Sequence, residues 1–161
     1  MKRLTQLVLS IAALSLPAPV VAQTPKDSVV RTVNEWFKAM TARDTATTTR
    51  LQIAEGMSFG LREQGDTVAY FHRGNTAYVR QLAAMRDTWV ERIWEPTVLV
   101  HGPLATLWAP YDIYTNGKFT HCGVDAFTLI RTNGGWKIAT VAFTMEPTGC
   151  PPSPLGPLSE R

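Results

Sequence analysis

The chain has 161 residues, 45% of them apolar, with 16 basic against 13 acidic side chains and two cysteines. Lys2 and Arg3 belong to an N-terminal export signal, and without them 14 basic residues face 13 acidic ones. With no later Lys/Arg cluster, nucleic acid is excluded as a partner, and no second apolar run of about 18 residues marks a membrane span.

The export signal is read over residues 1–22. Lys2 and Arg3 supply the positive start, Leu4 to Leu16 the apolar stretch, and Val20 and Ala22 the small or β-branched residues before cleavage. The expected mature protein is periplasmic or secreted and needs no membrane after cleavage. It divides into one domain, 23–148, and a Pro-rich tail, 149–161, expected to be extended and mobile.

The first element is a helix over about 25–42. Thr24 is its N-cap, Pro25 suits the first turn, and Val29, Val30, Val33, Trp36, Phe37 and Met40 recur at helical spacing. Asp44 can cap a short second helix to about Leu51. Met57 to Arg62 and Thr67 to His72 flank Gln64-Gly65-Asp66, a hairpin signal. Asn75 then caps a third helix, about 76–86. From 88 onward the pattern predicts four long strands, about 88–101, 104–115, 118–132 and 135–146, with Asn116-Gly117 among the turns. The class is α+β: a curved antiparallel sheet of about six strands wrapped around three N-terminal-side helices. Bulges at Pro110 and Gly123 would assist the bend.

Cys122 and Cys150 read first as a disulfide, with two free thiols as the alternative; their spacing is not that of a metal site. No cofactor and no metal is expected.

Three stretches carry a resemblance: Leu104 to Tyr111, His121 to Phe127, and Gly135-Trp136-Lys137-Ile138. They resemble the nuclear-transport-factor-2-like superfamily, which includes ketosteroid isomerases, scytalone dehydratases and polyketide cyclases, and within it an exported branch that carries a lumazine-binding label. The resemblance covers about 26–146. It implies a cone whose concave sheet and helices enclose one open pocket, and it does not choose between binder and enzyme.

Strand alternation then names candidates. If Phe127 and Leu129 face the helices, Asp125, Gly123, His121 and Phe119 share their side, and Cys122 faces away. The same parity groups Trp136, Ile138, Thr140, Ala142 and Thr144. His121, as acid or base, and Asp125, with its carboxyl raised by an apolar cavity, are the catalytic candidates. They stand roughly 13 Å apart along the strand, too far for a bonded dyad. Glu91 is a third candidate, by its parity with Trp89 and Ile93. The plain alternatives are a His121 bond to a backbone carbonyl, an Asp125 bond to Tyr or Trp, and an ion pair of Glu91 with Arg92 or Arg131. Trp36, Tyr111, Phe119, Trp136 and Thr144 are the ligand-binding candidates, for a small hydrophobic or aromatic ligand. Three functions follow: a small-molecule binder, an acid–base isomerase, dehydratase or cyclase, and an interaction module or homodimer through the outer sheet face. A solid core would remove the first two.

Overall fold

In the computed structural model, residues 24–158 are described; the export signal expected over 1–22 lies outside them. Helix α1 (Pro25–Ala42) starts on a reciprocal cap, in which the Thr24 hydroxyl accepts from the Asp27 N–H and Asp27 accepts from the Thr24 N–H. Its buried stripe is Val29, Val33, Trp36, Phe37 and Met40. Asp44 caps α2 (Thr45–Leu51) through the Thr47 N–H. Helix α3 (Asn75–Ala84) differs from expectation at its start. Gly74 is the N-cap, and the buried Asn75 side chain donates instead to the Ile53 carbonyl at 2.8 Å, tying α3 to the sheet.

The strands are β1 (Gln52–Gln64), β2 (Thr67–Gly74), β3 (Trp89–Ile93), β4 (Thr97–His101), β5 (Leu104–Thr115), β6 (Lys118–Thr132) and β7 (Gly135–Thr144). They form one curved sheet in the order β2-β1-β7-β6-β5-β3, with β4 also paired to β5. Two expectations are corrected. The sheet has seven strands, because the stretch read as 88–101 breaks at Trp94-Glu95-Pro96, where Glu95 has φ +44°. The sheet is also mixed: β1 and β7 are parallel, with Phe59 opposite Ala142.

The bulges that bend the sheet are not at Pro110 or Gly123, which keep regular register opposite Val124 and Tyr111. On β6, Ile113 pairs with His121 but Tyr114 with Phe119, so Thr120 is the extra residue. On β7, Thr128 pairs with Thr140 but Leu129 with Ile138, so Ala139 is extra. Each bulge reverses side-chain parity beyond it.

The core lies between the helices and the concave face, where Val29, Val33, Leu82, Leu107, Phe127, Leu129 and Ile138 are almost wholly buried. Burying such side chains contributes about 1.5–3 kcal/mol each. The tail is held at two points. Cys150 is bonded to Cys122 with Cα atoms 5.9 Å apart, and the Arg92 guanidinium donates to the Gly156 carbonyl at 2.9 Å. Cys122 faces the outer side, as its parity predicts, so the tail is clamped to the convex face.

Candidate functional site

The core stops short of the open end of the cone, leaving a cavity of about 210 Å³. Trp36 and Met40 of α1, Tyr78 of α3 and Gln52 form one wall. Trp89 and Glu91 of β3, Tyr111 and Ile113 of β5, and His121, Asp125 and Phe127 of β6 form another. Phe71 and Arg73 of β2, with Val141 and Phe143 of β7, complete it.

Four buried polar atoms have no hydrogen-bond partner among the described residues: Trp36 Nε1, Gln52 Oε1, Tyr78 OH and Asp125 Oδ2. All four belong to residues lining this cavity. An orphaned buried polar atom costs about 1–3 kcal/mol, so four around one hollow is a set of unmet hydrogen bonds. Trp36 can only donate, Gln52 Oε1 can only accept, and the Tyr78 hydroxyl can do both. Trp36 and Tyr78 are stacked, centroids 5.4 Å apart, and Phe127 meets Trp36 edge-on at 6.0 Å.

Glu91 and Asp125 come from β3 and β6, the two neighbours of β5, and their carboxyls bond one another. Two carboxyls this close repel when both are ionised, which favours a proton held between them. Burial pushes Glu91 up to about 7, opposed by the Asp125 bond and reinforced by the Asp112 charge. Glu91 keeps some surface toward the groove beside α1, but its carboxyl is withdrawn from water. Asp125, only 1% exposed, is raised well above the usual carboxylate range, by burial first and then by Glu91. Arg92 does not compensate Glu91. It lies on the opposite face of β3, where Nε donates to Asp112 Oδ1 at 2.8 Å.

His121 lines the cavity half-buried, edge-on to Tyr111 at 5.8 Å. Burial, and then the Arg62 charge, lower its pKa, so the imidazole is neutral at pH 7. The Tyr111 ring lines the cavity, but its hydroxyl is engaged, donating to the Thr144 carbonyl at 2.6 Å.

The structure therefore brings Glu91, His121, Asp125, Trp36 and Tyr111 to one cavity and leaves three ligand-binding candidates outside it. The Thr120 bulge turns Phe119 away from His121's face; it is 46% exposed and packs on Tyr114. The Ala139 bulge hands the inward positions to Val141 and Phe143, and turns Thr144 out to accept from the Val124 N–H. Trp136 faces inward but at the other end of α1, beside Ser28 and Thr32, with the Arg131 guanidinium over its ring. Sequence reasoning missed Tyr78, Trp89, Phe71 and Gln52 as cavity residues. Tyr78 was visible on the apolar side of α3, whereas Gln52, at the α2–β1 junction, carried no signal.

No family model and no curated protein matches the sequence. Solved structures do. An NTF2-like protein from Cytophaga hutchinsonii aligns with TM-score 0.63 over 76% of this chain and 99% of its own, at 8% identity. The chain has the NTF2-like fold. An NTF2-like superfamily protein from Salmonella enterica aligns at TM-score 0.59 and 15% identity, over 78% of this chain and 94% of its own. A suspected dehydratase of the NTF2-like family from Streptomyces avermitilis aligns at 0.58 and 19%, over 74% and 94%. At such identities the likeness is one of fold, and the chemistry of an NTF2-like cavity is argued from its own residues.

Proposed function

We propose that this is an exported small-molecule-binding protein that holds a small, flat, mainly apolar ligand in the NTF2-like cavity. The observation that carries the reading is the set of four unpartnered buried polar atoms around one aromatic-lined hollow. An apolar cavity of about 150 Å³ admits benzene, so the space here suits a molecule of roughly one to two rings. Export is supported by the signal-like N-terminus and by the Cys122–Cys150 disulfide, a bond favoured in oxidising compartments.

The test is native mass spectrometry of the protein purified from its own cell envelope. A retained small molecule, lost on Trp36→Phe with Asp125→Asn, is the expected result. A ligand-free mass, together with no quenching of tryptophan fluorescence by any small aromatic probe, would overturn it.

One observation favours a second reading, acid–base chemistry on the bound molecule. The raised carboxyl pair places an acid and a base beside each other near pH 7. Turnover abolished by Glu91→Gln while ligand is still bound would decide for it.

The convex face is our proposed homodimer surface. Leu99, Leu104, Trp108 and Ile130 are exposed there on β4, β5 and β6, with Thr106 and Thr128 between them. The apolar side chains and the two threonines form one patch, with Lys137 beside Ile130 at its edge, and a patch of this kind suits a second copy of the same face.

A further inference from the structure

Resting on the binding reading above, we infer that the cavity selects a small aromatic cation, such as a protonated amidine or ring-borne amine, seated against the Glu91–Asp125 pair. Both carboxyls line the cavity, and neither has an ion-pair partner among the described residues. The Asp125 Oδ2 atom is unpartnered at 1% exposure, and the Gln52 Oε1 atom is a second unmet acceptor on the same lining. Two empty acceptors beside an acidic pair complement a group with several N–H donors and a positive charge.

The other walls agree. Trp36, Tyr78, Trp89 and Phe127 surround the space with aromatic faces and edges, and ring faces attract cations as well as flat rings. The remaining charged or titratable groups around the pair are few. Tyr78 on α3 and Tyr111 on β5 keep their protons, the His121 imidazole on β6 is neutral, and Asp112 adds negative charge from behind β5. Arg73 is the one cationic side chain among the lining residues. Its guanidinium lies over the Phe71 ring at 5.7 Å, and its charge acts on Tyr78 rather than on either carboxyl. An aromatic cation entering here fills the hydrogen-bond deficit and supplies the counter-charge that the pair lacks.

The experiment uses three probes of one shape, benzamidine, benzamide and benzoate, titrated against the purified protein by calorimetry and by quenching of tryptophan fluorescence. Benzamidine should bind at least tenfold more tightly than benzamide, and benzoate weakest. Glu91→Gln with Asp125→Asn should erase the preference, weakening benzamidine to the affinity that the same variant shows for benzamide. Benzamide or benzoate binding as tightly as benzamidine overturns the cation assignment and leaves the binding reading standing. A failure of all three probes to bind overturns the cation assignment. If the native protein also carries no ligand, the binding reading falls with it.

Discussion

Tyr111 on β5 donates its hydroxyl to the Thr144 carbonyl on β7 at 2.6 Å, crossing the strand that lies between them. The residue on that strand opposite Tyr111 is Gly123. A Cβ there would stand 2.2 Å from the Thr144 carbonyl oxygen, which is backbone and cannot step aside. The cross-strand bond and the missing side chain are thus one device that draws β7 against β6 and sets the cavity wall.

Gly123→Ala should therefore cost more than Tyr111→Phe. The hydroxyl deletion removes one hydrogen bond, worth about 1 kcal/mol. The added methyl forces β7 away and is expected to cost about 1–3 kcal/mol from overpacking. Urea midpoints of the two variants check the order.

Stability should fall as the pH rises. Glu91 and Asp125 both hold protons more tightly folded than unfolded, Glu91 up to about 7 against an ordinary 4.5. The folded state therefore binds more protons than the unfolded one above the ordinary carboxylate range. The stability from these protons is complete below that range and is lost as the pH climbs through 7 and beyond. Tyr78, Tyr111, His121, Asp112 and Arg73 also surround the pair and stay in place in the variants. Unfolding at pH 5 and pH 8 should differ by at least about 1 kcal/mol in the wild type. Glu91→Gln with Asp125→Asn should flatten the difference, and a slope of the opposite sign would exclude the shared proton.

Arg92→Met should unfold the protein more readily than its place on a short strand suggests. It leaves Asp112, 3% exposed, without its counter-ion and releases the Gly156 carbonyl of the tail. Removing one partner of a buried pair costs about 3–5 kcal/mol. Arg92→Met with Asp112→Leu should recover most of that loss in a thermal melt.

Cys150→Ser should lower stability by roughly 3–4 kcal/mol, the loop-closure value for a bridge spanning 28 residues. Limited proteolysis should then cut after Thr148 while the domain stays resistant, because Arg92 alone would hold the tail.

Trp108→Glu, at a position 57% exposed on the convex face, should convert the proposed dimer to monomer in light scattering and leave the melting temperature nearly unchanged. A wild type that is monomeric at high concentration would exclude this interface.

Local signals determined much of this protein. The capping box at Thr24, the apolar stripe from Val29 to Met40, and the Asn116-Gly117 turn each act within a few residues, and each yields its element. Alternation along β6 put Asp125, Phe127 and Leu129 on one face, because pleating is a property of the strand itself. What tertiary structure alone decided is where alternation breaks. The extra residues Thr120 and Ala139 show only in the pairing with β5 and with β6, and they exchanged Phe119 and Thr144 for Val141 and Phe143. The parallel seat of β1 and the meeting of Glu91 with Asp125 arise likewise between segments far apart in the chain, whereas the Cys122–Cys150 bond was readable from the two cysteines. A sequence states which side a residue faces on its own strand; which side chains meet in one cavity depends on how several strands bend together.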